Sequence, residues 1–140
     1  MNELNEAGAL AYLMITMAAA DGALGETELA RVAAICDTLP VFDGMSRDEL
    51  VRHANACGIL LEDEDGIDAI LTLIREVVPE RLYETAYAVA VEVAAADLQA
   101  RQEELRLLEM LRDQLDLDKL VVAAIERSAR ARFRLASAPN

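Results

Sequence analysis

The chain has 140 residues, 54% of them hydrophobic, and a formal net charge of −13. That length supports one domain with a real core and excludes two independent ones. A surface this acidic repels nucleic-acid phosphates and anionic lipid, and it attracts cations. Glycine (6), proline (3) and aromatics (4%) are scarce, while alanine and leucine dominate. Such a mix favours helices, because Ala and Leu lose little on entering one. Val and Ile fall at helical spacing, not in alternation.

The first helix is predicted over about Leu4–Ala20, with Leu10, Leu13, Met14 and Met17 on one face. Asp21-Gly22 ends it, Gly22 suiting a left-handed position after a helix. A second helix starts near Glu26, carries Leu29, Val32, Ile35, Cys36 and Leu39, and stops at Pro40. After a loop over Val41–Met45, Ser46 caps a third helix, with Glu49 completing a capping box. Leu50, Val51 and Ala54 form its inward face and Gly58 closes it. The acidic run Glu62-Asp63-Glu64-Asp65 opens a fourth helix, whose apolar positions are Ile67, Ile70, Leu71 and Ile74. Pro79 suits the first turn of a fifth, carrying Leu82, Ala86, Val89, Ala90 and Val93. A sixth spans about Gln102–Gln114 and a seventh Asp118 to about Arg132, and Leu135–Asn140 forms a loose tail. The fold class is thus all-α: a single domain over 1–140 with about seven helices.

Cys36 and Cys57 sit among apolar residues and read as buried reduced thiols, not a disulfide framework. Met1–Glu6 carries two acids and no base, unlike a secretory leader. The longest uncharged run, Ala7–Ala20, has 14 residues, short of the roughly 20 that cross a bilayer. The expectation is a soluble, cytoplasmic protein. Arg127, Arg130, Arg132 and Arg134 crowd the C-terminus, either complementing a helix dipole or forming a docking patch for an acidic partner or membrane surface.

An internal repeat is the most informative feature. At an offset of 76, Ala18-Ala19-Ala20-Asp21 falls on Ala94-Ala95-Ala96-Asp97, Glu28-Leu29 on Glu104-Leu105, Asp37 on Asp113 and Leu39 on Leu115. That is eight identities in the 22 positions from Ala18 to Leu39, where composition alone gives roughly two or three. At an offset of 70, Asp48, Leu50, Val51 and Ala54 fall on Asp118, Leu120, Val121 and Ala124. The repeat therefore spans about 7–57 and 82–132. Helices one to three correspond to five to seven, the fourth connects them, and two halves packed about a pseudo-two-fold axis bury what one cannot.

Each half carries one Asp and one Glu seven residues apart at a helix corner: Asp21 with Glu28, and Asp97 with Glu104. The segment Asp21–Glu28 resembles the second half of a calcium loop, but the earlier ligand positions are Met17 and Ala19, which excludes an EF-hand. The acidic run before Asp68 fails the same test at Thr72. Asp21 also reads as a helix-end residue with local hydrogen bonds, and Glu28 as a capping acid three residues after Gly25. That second reading is weaker for Glu104, because Arg101 is a poor cap. Two carboxylates 4 Å apart repel by about 4 kcal/mol at an effective dielectric near 20, so converging acids call for protons, arginines or a bound cation. Oxygen ligands suit calcium, magnesium or manganese. Cys36, Cys57 and the lone His53 lack zinc-like spacing, and His53 reads as a surface or packed histidine.

The apolar helix ending in Ala-Ala-Ala-Asp21-Gly22, followed by Glu28 opening a second helix and by a similar corner later, resembles the signature of the TerB tellurite-resistance family. The resemblance covers about Ala7–Phe133. It implies seven helices with an internal pseudo-two-fold and a role in bacterial resistance to tellurite and other chemical or phage stress. It also implies divalent-metal binding, with Asp21, Glu28, Asp97 and Glu104 as the metal-facing acids. The implied partners are other tellurite-resistance proteins, including a membrane-embedded TerC-like protein that would hold the chain at the inner membrane. Leu98 and Arg101 depart from the pattern in the second corner, leaving one asymmetric site as open as a symmetric pair. Two functions compete: a non-catalytic, cation-binding stress protein, and a helical protein-interaction module without metal. Catalysis is not expected. A di-iron bundle needs paired Glu-x-x-His motifs, and no nucleophile–base set or glycine-rich phosphate loop is recognisable.

Overall fold

A computed structural model describes residues 4–20, 22, 24–96 and 102–137. Among them the α-helices are α1 (Glu6–Ala18), α2 (Glu26–Thr38), α3 (Arg47–Leu61), α4 (Gly66–Val77), α5 (Tyr83–Ala96), α6 (Gln102–Leu115) and α7 (Lys119–Arg132). Short 3₁₀ turns cover Pro40–Phe42 and Glu80–Leu82. The architecture is all-α. No described helix is long and apolar enough to cross a membrane.

The architecture follows from two helices that are apolar over most of their surface. α1 is buried without a break from Gly8 to Ala18. α5 buries Ala86, Tyr87, Val89, Ala90, Val91, Val93 and Ala94. A helix apolar over most of its surface belongs in an interior, and α1 and α5 pack on each other there. The remaining helices are amphipathic and act as covers. α2, α3 and α4 lie on α1, and α6 and α7 lie on α5. α2 also reaches α5, and α4 reaches α6. Within each half the contacts repeat, with the first helix touching the second and third.

Side-chain caps set two of the helix starts. Asn5 Oδ1 accepts the Gly8 N–H at 2.8 Å, so α1 begins after Asn5 and not at Leu4. Ser46 Oγ accepts the Glu49 N–H at 3.1 Å, as the capping-box reading required, and its hydroxyl donates to the Glu49 carboxylate at 3.4 Å. Pro79 opens the 3₁₀ turn that leads into α5 instead of α5 itself. α3 runs past Gly58 to Leu61.

Three expectations about burial change. Val51 and Ile67 are exposed, while Phe42, assigned to a loop, is buried in the core. Leu50 and Cys57, seven residues apart, mark the inward stripe of α3. Val51 lies about 100° round the helix from Leu50 and so faces away. Phe42 is brought inward by the 3₁₀ turn, a device that periodicity does not register.

The register of the third helices also changes. Ser46 and Asp118 are the cap residues of α3 and α7, an offset of 72 and not 70. At 72, buried Leu50 and Cys57 fall on Val122, packed against the core, and buried Ala129. At 70, Leu50 would match Leu120, which is 79% exposed. The α6–α7 connection, residues 116–118, is accordingly shorter than the α2–α3 connection, residues 39–46. Asp116 makes the short turn possible by adopting a left-handed conformation (φ 51°), with the Leu117 N–H reaching the Arg112 carbonyl at 3.4 Å.

At the α3–α4 corner, a Cβ on Gly66 would lie 2.2 Å from the Leu60 carbonyl oxygen, a backbone atom that cannot move aside. A Cβ on Gly58 would meet nothing within 4 Å. Gly66→Ala is therefore expected to destabilise the protein by about 1–3 kcal/mol, and Gly58→Ala to stabilise it by about 0.5–1 kcal/mol. Urea denaturation followed by circular dichroism measures both. Equal midpoints for the two variants would refute the close approach at Gly66.

Candidate metal centre

Glu28 and Glu104 are each the third residue of their helix, α2 and α6 respectively. The first turn of a helix exposes unpaired N–H groups and the positive end of the dipole, so acids are stable there. Both helices use this: α2 places Glu26 and Glu28 in its first turn, and α6 places Glu103 and Glu104. Gly25, the cap residue of α2, offers no side-chain cap. The Glu28 carboxylate folds back over it, with Oε2 and Oε1 at 3.1 and 3.3 Å from where a Cβ on residue 25 would lie. Gly22, between α1 and α2, has φ 146°, a conformation glycine adopts readily.

The two glutamates differ in environment. Glu28 is half-buried, whereas Glu104 is only 5% exposed and has an interaction partner. A buried carboxylate must be paired or hydrogen-bonded to stay charged. Asp21 and Asp97, with Leu98 and Arg101 of the second corner, lie outside the described residues. Among the described residues, no group of three His, Cys, Asp or Glu side chains is arranged to hold a metal ion.

The soft-ligand candidates have other roles. Cys57 is fully buried, and its Sγ contacts the Thr16 hydroxyl and donates to the Tyr12 carbonyl, each at 3.5 Å. Burial raises its thiol pKa, against a smaller opposing effect of the Thr16 bond. Burial, with neighbouring Asp37, pushes the Cys36 thiol up to about 11. His53 packs edge-on against Tyr12 with ring centroids 5.7 Å apart, and burial lowers its pKa. Two protonated thiols and a packed imidazole are poor ligands for zinc. The acidic run after α3 is exposed, and the Asp63 carboxylate accepts the Asp65 N–H at 3.1 Å.

A polar network joins α5, α6 and α7. The Tyr87 hydroxyl, on a fully buried residue of α5, donates to the Glu126 carboxylate of α7. Arg112 of α6 donates to the Tyr87 oxygen at 3.0 Å and to Glu126 at 3.2 Å. This locks α6 onto its neighbours two turns beyond Glu104. The sequence reading missed the network, although a signal was present. At offsets of 76 and 72, Tyr87, Arg112 and Glu126 stand where the first half has Ala11, Cys36 and Ala54. Three positions that turn polar together across a repeat indicate side chains that meet.

The described residues thus form an all-α protein of seven helices, with a glutamate at the third position of both α2 and α6. The chain belongs to the family described as tellurite resistance protein TerB, whose profile matches residues 7–127. A search of curated proteins and a search of solved structures returned no match.

Burial, and next the Glu126 carboxylate, hold the Tyr87 phenol up at about 12, against an ordinary value of 10.0. Below pH 10 the phenol is protonated in both native and unfolded chains. Between pH 10 and 12 the unfolded chain loses this proton and the native chain keeps it, so stability falls with rising pH. Tyr87→Phe is expected to flatten that part of the decline, read as urea midpoints across the alkaline range. An identical slope in the variant would show that this hydroxyl does not carry the effect.

Proposed function

We propose that this TerB-family chain is a non-catalytic bacterial stress-response protein of the tellurite-resistance type that binds a divalent cation at its acidic corners. The ligands are Asp21 and Glu28 of the first corner and Asp97 and Glu104 of the second. The observation that carries the reading is the recurrence of a glutamate at the third position of α2 and of α6, one of the two being buried. Membership of the family and the net charge of −13 support it. An all-oxygen acidic ligand set matches a hard cation: calcium, magnesium or manganese. The protein acts in the cytoplasm with other tellurite-resistance proteins and reaches the inner membrane through a TerC-like partner.

The binding energy appears as stability, because a cation that binds only the native state adds RT ln(1 + [L]/Kd). Titration calorimetry of metal-stripped protein with calcium, magnesium and manganese is expected to give saturable heat for at least one of them. The same cation should raise the melting temperature. The pair Asp21→Asn plus Asp97→Asn is expected to lose both responses, and Glu104→Gln to weaken them. No heat at millimolar cation, or equal heats in wild type and the paired variant, would overturn the proposal.

A further inference from the structure

α4 is the one described helix without a counterpart in the duplication, and it fills a slot walled by α1, α3 and α6. Replacing each wall by its counterpart in the other half gives α5, α7 and α2. Those three helices border an open groove of about 600 Å³. Ala34 and Ile35 of α2, Leu39 just after it, Ala88 of α5, and Ala124 and Ile125 of α7 line most of it. The groove therefore lies in the second half where α4 lies in the first.

Burial on the two sides agrees. At an offset of 76, Ile35 and Leu39 correspond to Leu111 and Leu115. The latter two are buried, whereas Ile35 and Leu39 remain partly exposed. The rim differs in the same sense. Arg132 and Glu92 form a two-point ion pair at 3.0 and 2.6 Å at the groove, where the first half has Leu60 and Thr16. Of Leu60 and Thr16, Thr16 is buried while Leu60 is 39% exposed, so the contrast lies at Thr16, a buried small hydroxyl where the open groove carries the charged Glu92. α4 is anchored in its own slot by Arg75, which donates to the Gln114 carbonyl at the end of α6, and by Tyr83, whose hydroxyl donates to the Arg75 carbonyl at 3.3 Å.

We propose that the α2–α5–α7 groove is a docking site for an amphipathic helix supplied by another protein. The occupant presents a ridge of isoleucine and leucine like Ile70, Leu71 and Ile74 of α4. Alanines on all three walls leave room for such a ridge, in the manner of helix-in-groove recognition. A second copy of this chain is not the occupant, because its own α4 is already engaged in its own slot. The groove lies between helix faces, apart from the first turns of α2 and α6, so the proposal does not depend on the cation-binding reading.

The probe is a fluorescently labelled synthetic peptide of residues Gly66–Val78, added to the full chain and followed by anisotropy. Saturable binding in the micromolar range is expected. Ala124→Arg on α7 and Ala34→Arg on α2 place a bulky side chain in the groove at exposed helix positions. Each is expected to weaken binding at least roughly tenfold while leaving the circular dichroism spectrum and melting temperature unchanged. The peptide is net acidic, so added arginines attract it, and a loss of affinity reports the blocked wall instead of charge. Replacing Ile70 and Ile74 of the peptide by Asp is expected to abolish binding. No saturation at millimolar chain would overturn the proposal. Binding unaffected by both arginine variants would do the same, since the peptide would then be exchanging with the resident α4 or adhering elsewhere.

Discussion

A helix with no side to turn toward water dictates the rest of this molecule. Each fully buried Leu, Ile or Met side chain contributes about 1.5–3 kcal/mol relative to its exposed state, and α1 buries Leu10, Leu13, Met14, Ile15 and Met17 in succession. That gain exists only if α1 is enclosed on every side. α5 is under the same constraint over most of its surface, and the two pack together beneath amphipathic covers, with the Glu84, Ala88 and Glu92 side of α5 left partly open. The acidic corners follow from this arrangement. A central helix must hand over to a surface helix, and the surface helix begins with unpaired N–H groups that favour an acid in its first turn.

The halves solve the same problem with different chemistry. In the first, α4 completes the enclosure, and a buried Thr16–Cys57 contact takes up the polar atoms beneath it. In the second, no fourth helix among the described residues plays that part. Ion pairs and a tyrosine hold α5, α6 and α7 together. A partly exposed pair such as Arg132–Glu92 contributes about 0–1 kcal/mol, so the second half gains more in alignment than in strength from it.

The helices and their order were legible in the sequence because 3.6-residue periodicity and caps are local signals. Ser46 with Glu49 marked the start of α3, and the recurrence of Ala-Ala-Ala-Asp with Glu seven residues on placed the chain in its family. What was not legible depends on partners distant in the chain. The inward position of Phe42 comes from a turn, and the outward positions of Val51 and Ile67 come from where α1 lies relative to α3 and α4. The register of α7 escaped because an Asp and three apolar residues recurred two positions out of phase with the caps. The helix positions of Glu28 and Glu104 were legible. The difference in their burial was not, since burial at a helix start depends on what packs over it.

Both sulfur nucleophiles of the chain are buried. Cys57 is fully buried against α1, Cys36 is held at about 11, and neither is in a disulfide. Oxidation by peroxides or metalloid oxyanions proceeds through the thiolate. At neutral pH these residues present almost none of it. Direct oxidation of the chain at its two cysteines is therefore disfavoured near neutral pH.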